Sequence, residues 1–196
     1  MANYCWNTIS LVGNKDSLKE LEHRLYTYDK FEYLNGWCDY VLKIRDDFNY
    51  IREEDKRDTY HYGSKWFDFE INECDIFGMS INGDSAWNPL IEFTKQICKV
   101  YKLDGVIEYE EPGMDFAGVV TYDTEGNEVS NIERTYCENL YVNDRRCWLE
   151  EMMETLPNYE EEDLLEELEL ISKYTSKEDL CALRYTLSAQ KQINKW

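Results

Sequence analysis

The sequence predicts an α+β fold, a βαββαβ antiparallel sheet with its helices on one face. Three observations predict it. Asn3–Val12 alternates, with Cys5, Ile9 and Leu11 on one side and Trp6, Thr8, Ser10 and Val12 on the other. That period of two marks a half-buried strand. Lys65–Glu73 and Asp75–Asn82 alternate in the same way about the polar corner Glu73-Cys74-Asp75, as the arms of a hairpin do. Leu90, Ile91, Phe93, Thr94, Ile97, Cys98 and Tyr101 then recur at three and four, giving one apolar helix face before a returning strand at Val106–Tyr109.

Taken in order, Gly13-Asn14 is the exit turn of the first strand. Ser17 and Glu20 have capping-box spacing for a helix striped by Leu18, Leu21 and Leu25. Residues 26–60 read as an aromatic insertion, with Tyr26, Tyr28, Phe31, Tyr33, Leu34 and Trp37 around an Asn35-Gly36 turn, a short helix Asp39–Phe48 and a mixed-charge run Glu53–Asp58. Asp84-Ser85-Ala86-Trp87-Asn88-Pro89 breaks the second hairpin strand and opens the next helix, with Asn88 as cap and Pro89 in the first turn, where its missing N–H is no loss. Glu111-Pro112-Gly113-Met114 turns the returning strand into Phe116–Tyr122. After the Asp123–Asn127 turn, Glu128–Val142 is expected to give one or two more strands through Val129, Ile132, Tyr136 and Leu140. Helices follow at Asn143–Leu156 and Tyr159–Tyr174, separated by Pro157-Asn158, and a last one capped by Thr175 and Glu178. The expected organisation is a domain over 1–142 with the insertion at 26–60, and a helical extension over 143–196 packed on it.

Four sequence blocks carry a family resemblance: the opening Met1–Cys5, the Tyr62–Trp66 loop, the Ser85–Pro89 turn and the Glu111–Gly118 hairpin. In this order they resemble the YubB-type ferredoxin-like family carried by phages and conjugative elements, over roughly residues 1–130. The resemblance implies a ferredoxin-like fold and a mobile-element setting, and it supplies no mechanism. The Gly63, Trp66, Trp87, Pro89, Gly113, Phe116 and Gly118 set is expected to be structural, with the glycines allowing tight turns and the two tryptophans plugging the seam between sheet and helices.

Charge is the loudest global feature. The 196 residues hold 41 Asp and Glu against 21 Lys and Arg, a net charge of −20 with a pI near 4.4. The acidic excess is largest in residues 61–147. Such a surface repels nucleic acid and anionic membranes and attracts basic partners. No apolar run approaches the roughly 20 residues of a membrane span. Seven cysteines without a CxxC pair read as reduced thiols of a cytoplasmic protein rather than a disulfide or zinc framework.

Enzyme signals are poor. The two histidines, His23 and His61, have no metal-ligand neighbours, and no nucleophile-elbow, Walker or dinucleotide fingerprint occurs. No catalytic residue, cofactor or metal is therefore assigned. Glu108, Glu110, Glu111 and Asp115 gather carboxylates near one hairpin tip, where His61 and Lys65 would join Glu111 if the family blocks meet. Exposed aromatics on such a sheet can stack nucleobases, but the charge opposes direct nucleic-acid binding.

On the 159–174 helix, Leu164, Leu168 and Ile171 share one face, and Glu162, Glu166 and Glu169 the other, with Asp163 at its edge. Carboxylates about 5–6 Å apart imitate a row of phosphates. The favoured function is a non-enzymatic acidic binding protein of a phage or mobile element. It would be a counter-defence inhibitor of the anti-CRISPR or antirestriction type, a monomer or homodimer that blocks the basic nucleic-acid-binding groove of a host effector. Glu162, Asp163, Glu166, Glu169, Glu108, Glu110, Glu111 and Asp115 are its candidate contacts. The alternative is a small-ligand-binding protein or enzyme using the Tyr62–Trp66 and Glu111–Gly118 loops.

Overall fold

The period-two segments become a six-stranded antiparallel sheet in the computed structural model, which describes residues 4–46, 62–74, 78–159, 161–177, 179–183 and 187, with backbone alone at 73, 161 and 162. The chain divides into two units, Met1–Glu133 and Arg134–Trp196. In the first, β1 (Tyr4–Val12), α1 (Lys15–Leu25), α2 (Leu34–Val41), β2 (Phe67–Cys74), β3 (Met79–Ala86), α3 (Ile91–Tyr101), β4 (Asp104–Glu111), β5 (Phe116–Tyr122) and β6 (Glu128–Arg134) follow one another. The strands lie in the order β2-β3-β1-β4-β5-β6. Antiparallel β1 sits between β3 and β4, and β2 pairs with β3, so the first four strands form the expected βαββαβ sheet. Two later strands widen it beyond β4.

The helices cover one face. Cys5, Ile9 and Leu11 of β1 are buried with Leu18, Leu21 and Leu25 of α1, Phe93 and Ile97 of α3, Ile107 of β4 and Val120 of β5. Each apolar stripe follows the predicted period, because only one face of each element can be removed from water in a two-layer fold. The insertion supplies the layer's largest plug. Trp37 is fully buried, stacked on Phe69 at 5.2 Å and tilted against Phe93 at 5.4 Å, with Tyr28 edge-on at 5.0 Å.

Several local expectations are corrected. The α1 cap is Asn14, whose side chain accepts from the Asp16 N–H at 2.8 Å, not Ser17. Asn35-Gly36 lies inside α2 rather than in a turn, because Leu34, Trp37, Cys38 and Val41 form a helical stripe that packs into the core. Burial of that stripe outweighs the turn preference of Asn-Gly. The helix expected over Asp39–Phe48 is instead α2, which ends at Val41 with residues 42–46 outside it. Residues 47 and 48 fall outside the described residues, as do His61 and the Glu53–Asp58 run. The hairpin strands are shifted from their expected bounds: β2 runs through Cys74, and β3 begins at Met79 and runs through Ala86, so Asp84 and Ser85 are strand residues. Beyond β6 the chain turns helical at Tyr136, where Thr135 accepts from the Glu138 N–H at 3.0 Å. Strand pairing therefore stops at Arg134, eight residues short of Val142.

The second unit holds α4 (Tyr136–Asn143), α5 (Arg145–Thr155) and α6 (Glu161–Ile171), with further helical turns at 179–183. Its own core joins Trp148, Met152, Leu156, Leu164, Leu168, Ile171, Leu183 and Leu187. Asp179, almost wholly buried, takes two hydrogen bonds from Arg145 and one from the Tyr141 hydroxyl, and the arginine holds its carboxyl below the usual range. The last helix is capped by Ser176, whose hydroxyl accepts from the Asp179 N–H at 3.1 Å, rather than by Thr175, whose hydroxyl donates back to the Ile171 carbonyl. Among the described residues, no helix is long and apolar enough to cross a membrane.

Candidate functional site

Strand register brings the family blocks to one end of the sheet. Tyr4 of β1 pairs with Ala86 of β3, Phe67 of β2 with Ser85, and Glu111 of β4 with Phe116 of β5. A buried polar network ties them. The Asn7 amide donates to the Cys5 carbonyl at 2.8 Å and to Ser85 Oγ at 2.9 Å, and its oxygen accepts the Leu90 N–H at 3.1 Å. The Ser85 hydroxyl donates to the Asn88 carbonyl at 2.7 Å. Ser64 accepts the Ala86 N–H at 2.7 Å and donates to the Trp66 carbonyl at 2.8 Å. The N-terminus of α3 is thus capped from β1 by Asn7, and Asn88, expected as the cap, instead offers its carbonyl. Gly63 belongs to the same end, where φ +94° and an approach that would set a Cβ 2.7 Å from the Pro89 carbonyl oxygen admit no side chain.

This network explains why two expected plugs are not plugs. Trp66 is only half-buried, edge-on to Tyr4 at 5.3 Å, and Trp87 is 41% exposed at a left-handed φ of +62°. The hydrogen bonds of Ser64, Asn7 and Ser85 fix the backbone on both sides of the turn, and the turn carries Trp87 outward. Trp37 fills the seam instead.

Among the described residues, no helix of the first unit lies on the other face of β1–β5, and that face is acidic. One cross-strand row reads Asp68, Asp84, Trp6, Glu110, Ala117, and the next Glu70, Asn82, Thr8, Glu108, Val119. Asp104 pairs with Val12 at the far end. Asp68, Glu70, Asp104 and Glu108 are exposed, while Asp84 and Glu110 are half-buried. The five strands contain neither lysine nor arginine. Trp6 at 43% and Tyr4 at 60% exposure are large aromatics on this face, with Trp66 edge-on to Tyr4. Asp68 stands directly opposite Asp84, a like-charge pair that opposes folding. The side-chain oxygen of Asn82 is shielded from solvent without a donor among the described residues.

The sequence-predicted contacts therefore separate. Glu108 and Glu110 lie on this open face. Asp115, exposed, occupies a left-handed turn position (φ +52°) at the β4–β5 tip. Glu111 belongs to the opposite face: it is 2% exposed, with its Oε2 buried and without a partner among the described residues, and it offers nothing to a surface contact. In the second unit, Asp163, Glu166 and Glu169 are exposed on α6, and the side chain of Glu162 lies outside the described residues. Lys65 is exposed, and His61 is among the undescribed residues, so its convergence with Glu111 has no geometry to report. Sequence reasoning missed Asp68, Glu70 and Asp84 as members of an acidic face. The signal was there: Asp68 and Glu70 alternate with Phe67 and Phe69, and Asp84 would have joined them had β3 been carried to Ala86.

The sequence model of the family described as a ferredoxin-like domain in Api92-like protein matches residues 46–145, just over half of the chain. The chain belongs to that family. The Api92-like ferredoxin-like match takes in β2 through β6 and α4, and so most of the open face. Neither the curated proteins nor the solved structures give a significant match.

The buried thiols of the first unit are chemically quiet. Burial pushes Cys5 and Cys98 up to about 12, and Cys38 well above its ordinary value. A thiol so raised supplies no thiolate near neutral pH. All seven cysteines are free. Among the described residues, no three His, Cys, Asp or Glu side chains are grouped to hold a metal.

Proposed function

We propose that this chain is a non-enzymatic acidic binding protein that covers the basic nucleic-acid-binding groove of a protein partner. In this reading it acts in the cytoplasm as a counter-defence inhibitor of the anti-CRISPR or antirestriction kind. The observation that carries the proposal is the open sheet face, where β2, β3 and β4 place six carboxylates and none of the five strands holds a lysine or arginine. Strand geometry spaces such groups about 5 Å across the sheet and about 7 Å along it. A rigid array of acceptors at that spacing suits a groove built to hold phosphates, and the same charge repels nucleic acid itself. The mobile-element setting comes from the YubB-type resemblance of the four blocks. The exposed acids of α6 form a second acidic surface, but the sheet fixes its carboxylates from both neighbouring strands and so pre-organises them better.

The test is affinity capture from host lysate on the immobilised protein, eluted with salt and, separately, with nucleic acid. The expected result is a basic nucleic-acid-binding protein released by either eluent, since screening shortens the Debye length from about 10 Å at 0.1 M to about 3 Å at 1 M. Capture that resists both salt and nucleic acid would overturn the proposal.

A small-ligand role for the Tyr62–Trp66 and Glu111–Gly118 loops has one observation in its favour, the buried Oε2 of Glu111, which has no hydrogen-bond partner among the described residues. A thermal-shift screen against small amines and guanidines reads it out. Stabilisation of the wild type that is lost in Glu111→Gln favours this role, and a set of melting curves unmoved by any cation removes it.

A further inference from the structure

The open face offers more than charge. Trp6 lies at the centre of its row, with Asp84 of β3 directly opposite on one side and Glu110 of β4 on the other. Asp68 extends the row beyond Asp84. Directly opposed residues on neighbouring strands hold their Cβ atoms about 4.5–5.5 Å apart, so carboxylates flank the indole at the reach of a hydrogen-bonding cation stacked on it. The indole is 43% exposed, and among the described residues no cation stands over it. Elsewhere the chain does cover its rings, with the Arg24 guanidinium 4.6 Å from the Tyr40 ring centre and the Lys43 ammonium 4.4 Å from that of Tyr101. Nor is Asp68 or Asp84 joined by an ion pair or hydrogen bond among the described residues. Two facing aspartates beside an open tryptophan, with no basic residue on the five strands, leave a place for a cation from outside.

We infer that Trp6, Asp84 and Asp68 seat an arginine side chain of the partner protein, an inference that rests on the reading of the open face as a surface for a basic partner. Arginine fits better than lysine for a geometric reason. Its planar guanidinium stacks on an indole face while the N–H groups at its edge donate in the plane to carboxylates alongside. Lysine presents a compact, strongly hydrated ammonium that cannot stack and fork at once. The seat therefore discriminates between two cations of equal charge, which an acidic surface alone does not.

The test compares the affinities of nona-arginine and nona-lysine peptides at fixed salt for the full chain, Trp6→Thr and Trp6→Phe. Wild type should favour the arginine peptide by about three- to thirty-fold. Trp6→Thr should bring that ratio close to one while the lysine peptide binds nearly as before, and Trp6→Phe should retain part of the preference. Asp68→Asn with Asp84→Asn should weaken both peptides, the arginine peptide more. If both peptides bind and Trp6→Thr keeps the wild-type ratio, the arginine seat is wrong and the acidic-face reading stands. If neither peptide binds the wild type, both fall. Should Trp6→Thr fail to fold, Trp6→Phe decides, since a ratio equal to wild type contradicts the seat and a reduced one supports it.

Discussion

The two faces of one sheet differ in almost every property the chain controls. On the covered face, β1 presents Cys5, Asn7, Ile9 and Leu11, all buried, against α1 and α3. On the open face the same strand presents Tyr4, Trp6, Thr8, Ser10 and Val12, flanked by acids. On the covered face the buried Asn7 amide is engaged on both sides, its oxygen taking the Leu90 N–H at the start of α3, while Glu111 Oε2 and Trp37 Nε1 find no hydrogen-bond partner among the described residues. The open face sets Asp68 against Asp84 and exposes Asp68, Glu70, Asp104 and Glu108 to solvent. Natural sequences tend toward local consistency, and where they depart from it without an evident structural gain, function is the usual reason. One face of the sheet holds the fold together, and the other is shaped for something outside it.

That contrast can be broken most forcefully at the tryptophans. Trp37→Ala on the covered side should cost about 3–5 kcal/mol of unfolding free energy, read from the urea midpoint. Next in size, Asn7→Ala should cost about 1–3 kcal/mol, because it strips the Leu90 N–H of its acceptor in a buried setting. Trp6→Thr on the open side should change stability by no more than about 0.5 kcal/mol, since it empties no core site. Comparable losses for Trp37 and Trp6 would mean that the open face is part of the folding core.

Much of this was legible in the sequence, and the reason is periodicity. The alternation in β1 and the stripes of α1 and α3 are set by burial on one side, which leaves a direct trace in residue type. Phe116–Tyr122 was legible to the residue for the same reason. What was not legible depended on contacts distant in sequence. Asn88 looks like a helix cap, but the acceptor that reaches Leu90 comes from Asn7, 83 residues away. Asn35-Gly36 looks like a turn until Trp37 has a core to enter. Strand ends at Ala86 and Arg134 are decided by what lies opposite them, and with β3 cut short at Asn82 the Asp68–Asp84–Trp6 row could not be assembled. Thr135 and Glu138 had capping-box spacing all along, but the weak apolar series through Tyr136 and Leu140 suggested strand instead.

The most direct measurement of the claim that one face folds and the other binds is an amide and indole NMR titration of the labelled full chain with the arginine peptide. The account predicts that shifts concentrate on Tyr4, Trp6 and Thr8 of β1, Asp68 and Glu70 of β2, Asp84 of β3 and Glu108 of β4, with the Trp6 indole moving most. Perturbations confined to α6 around Asp163, Glu166 and Glu169, with the Trp6 indole unmoved, would contradict it.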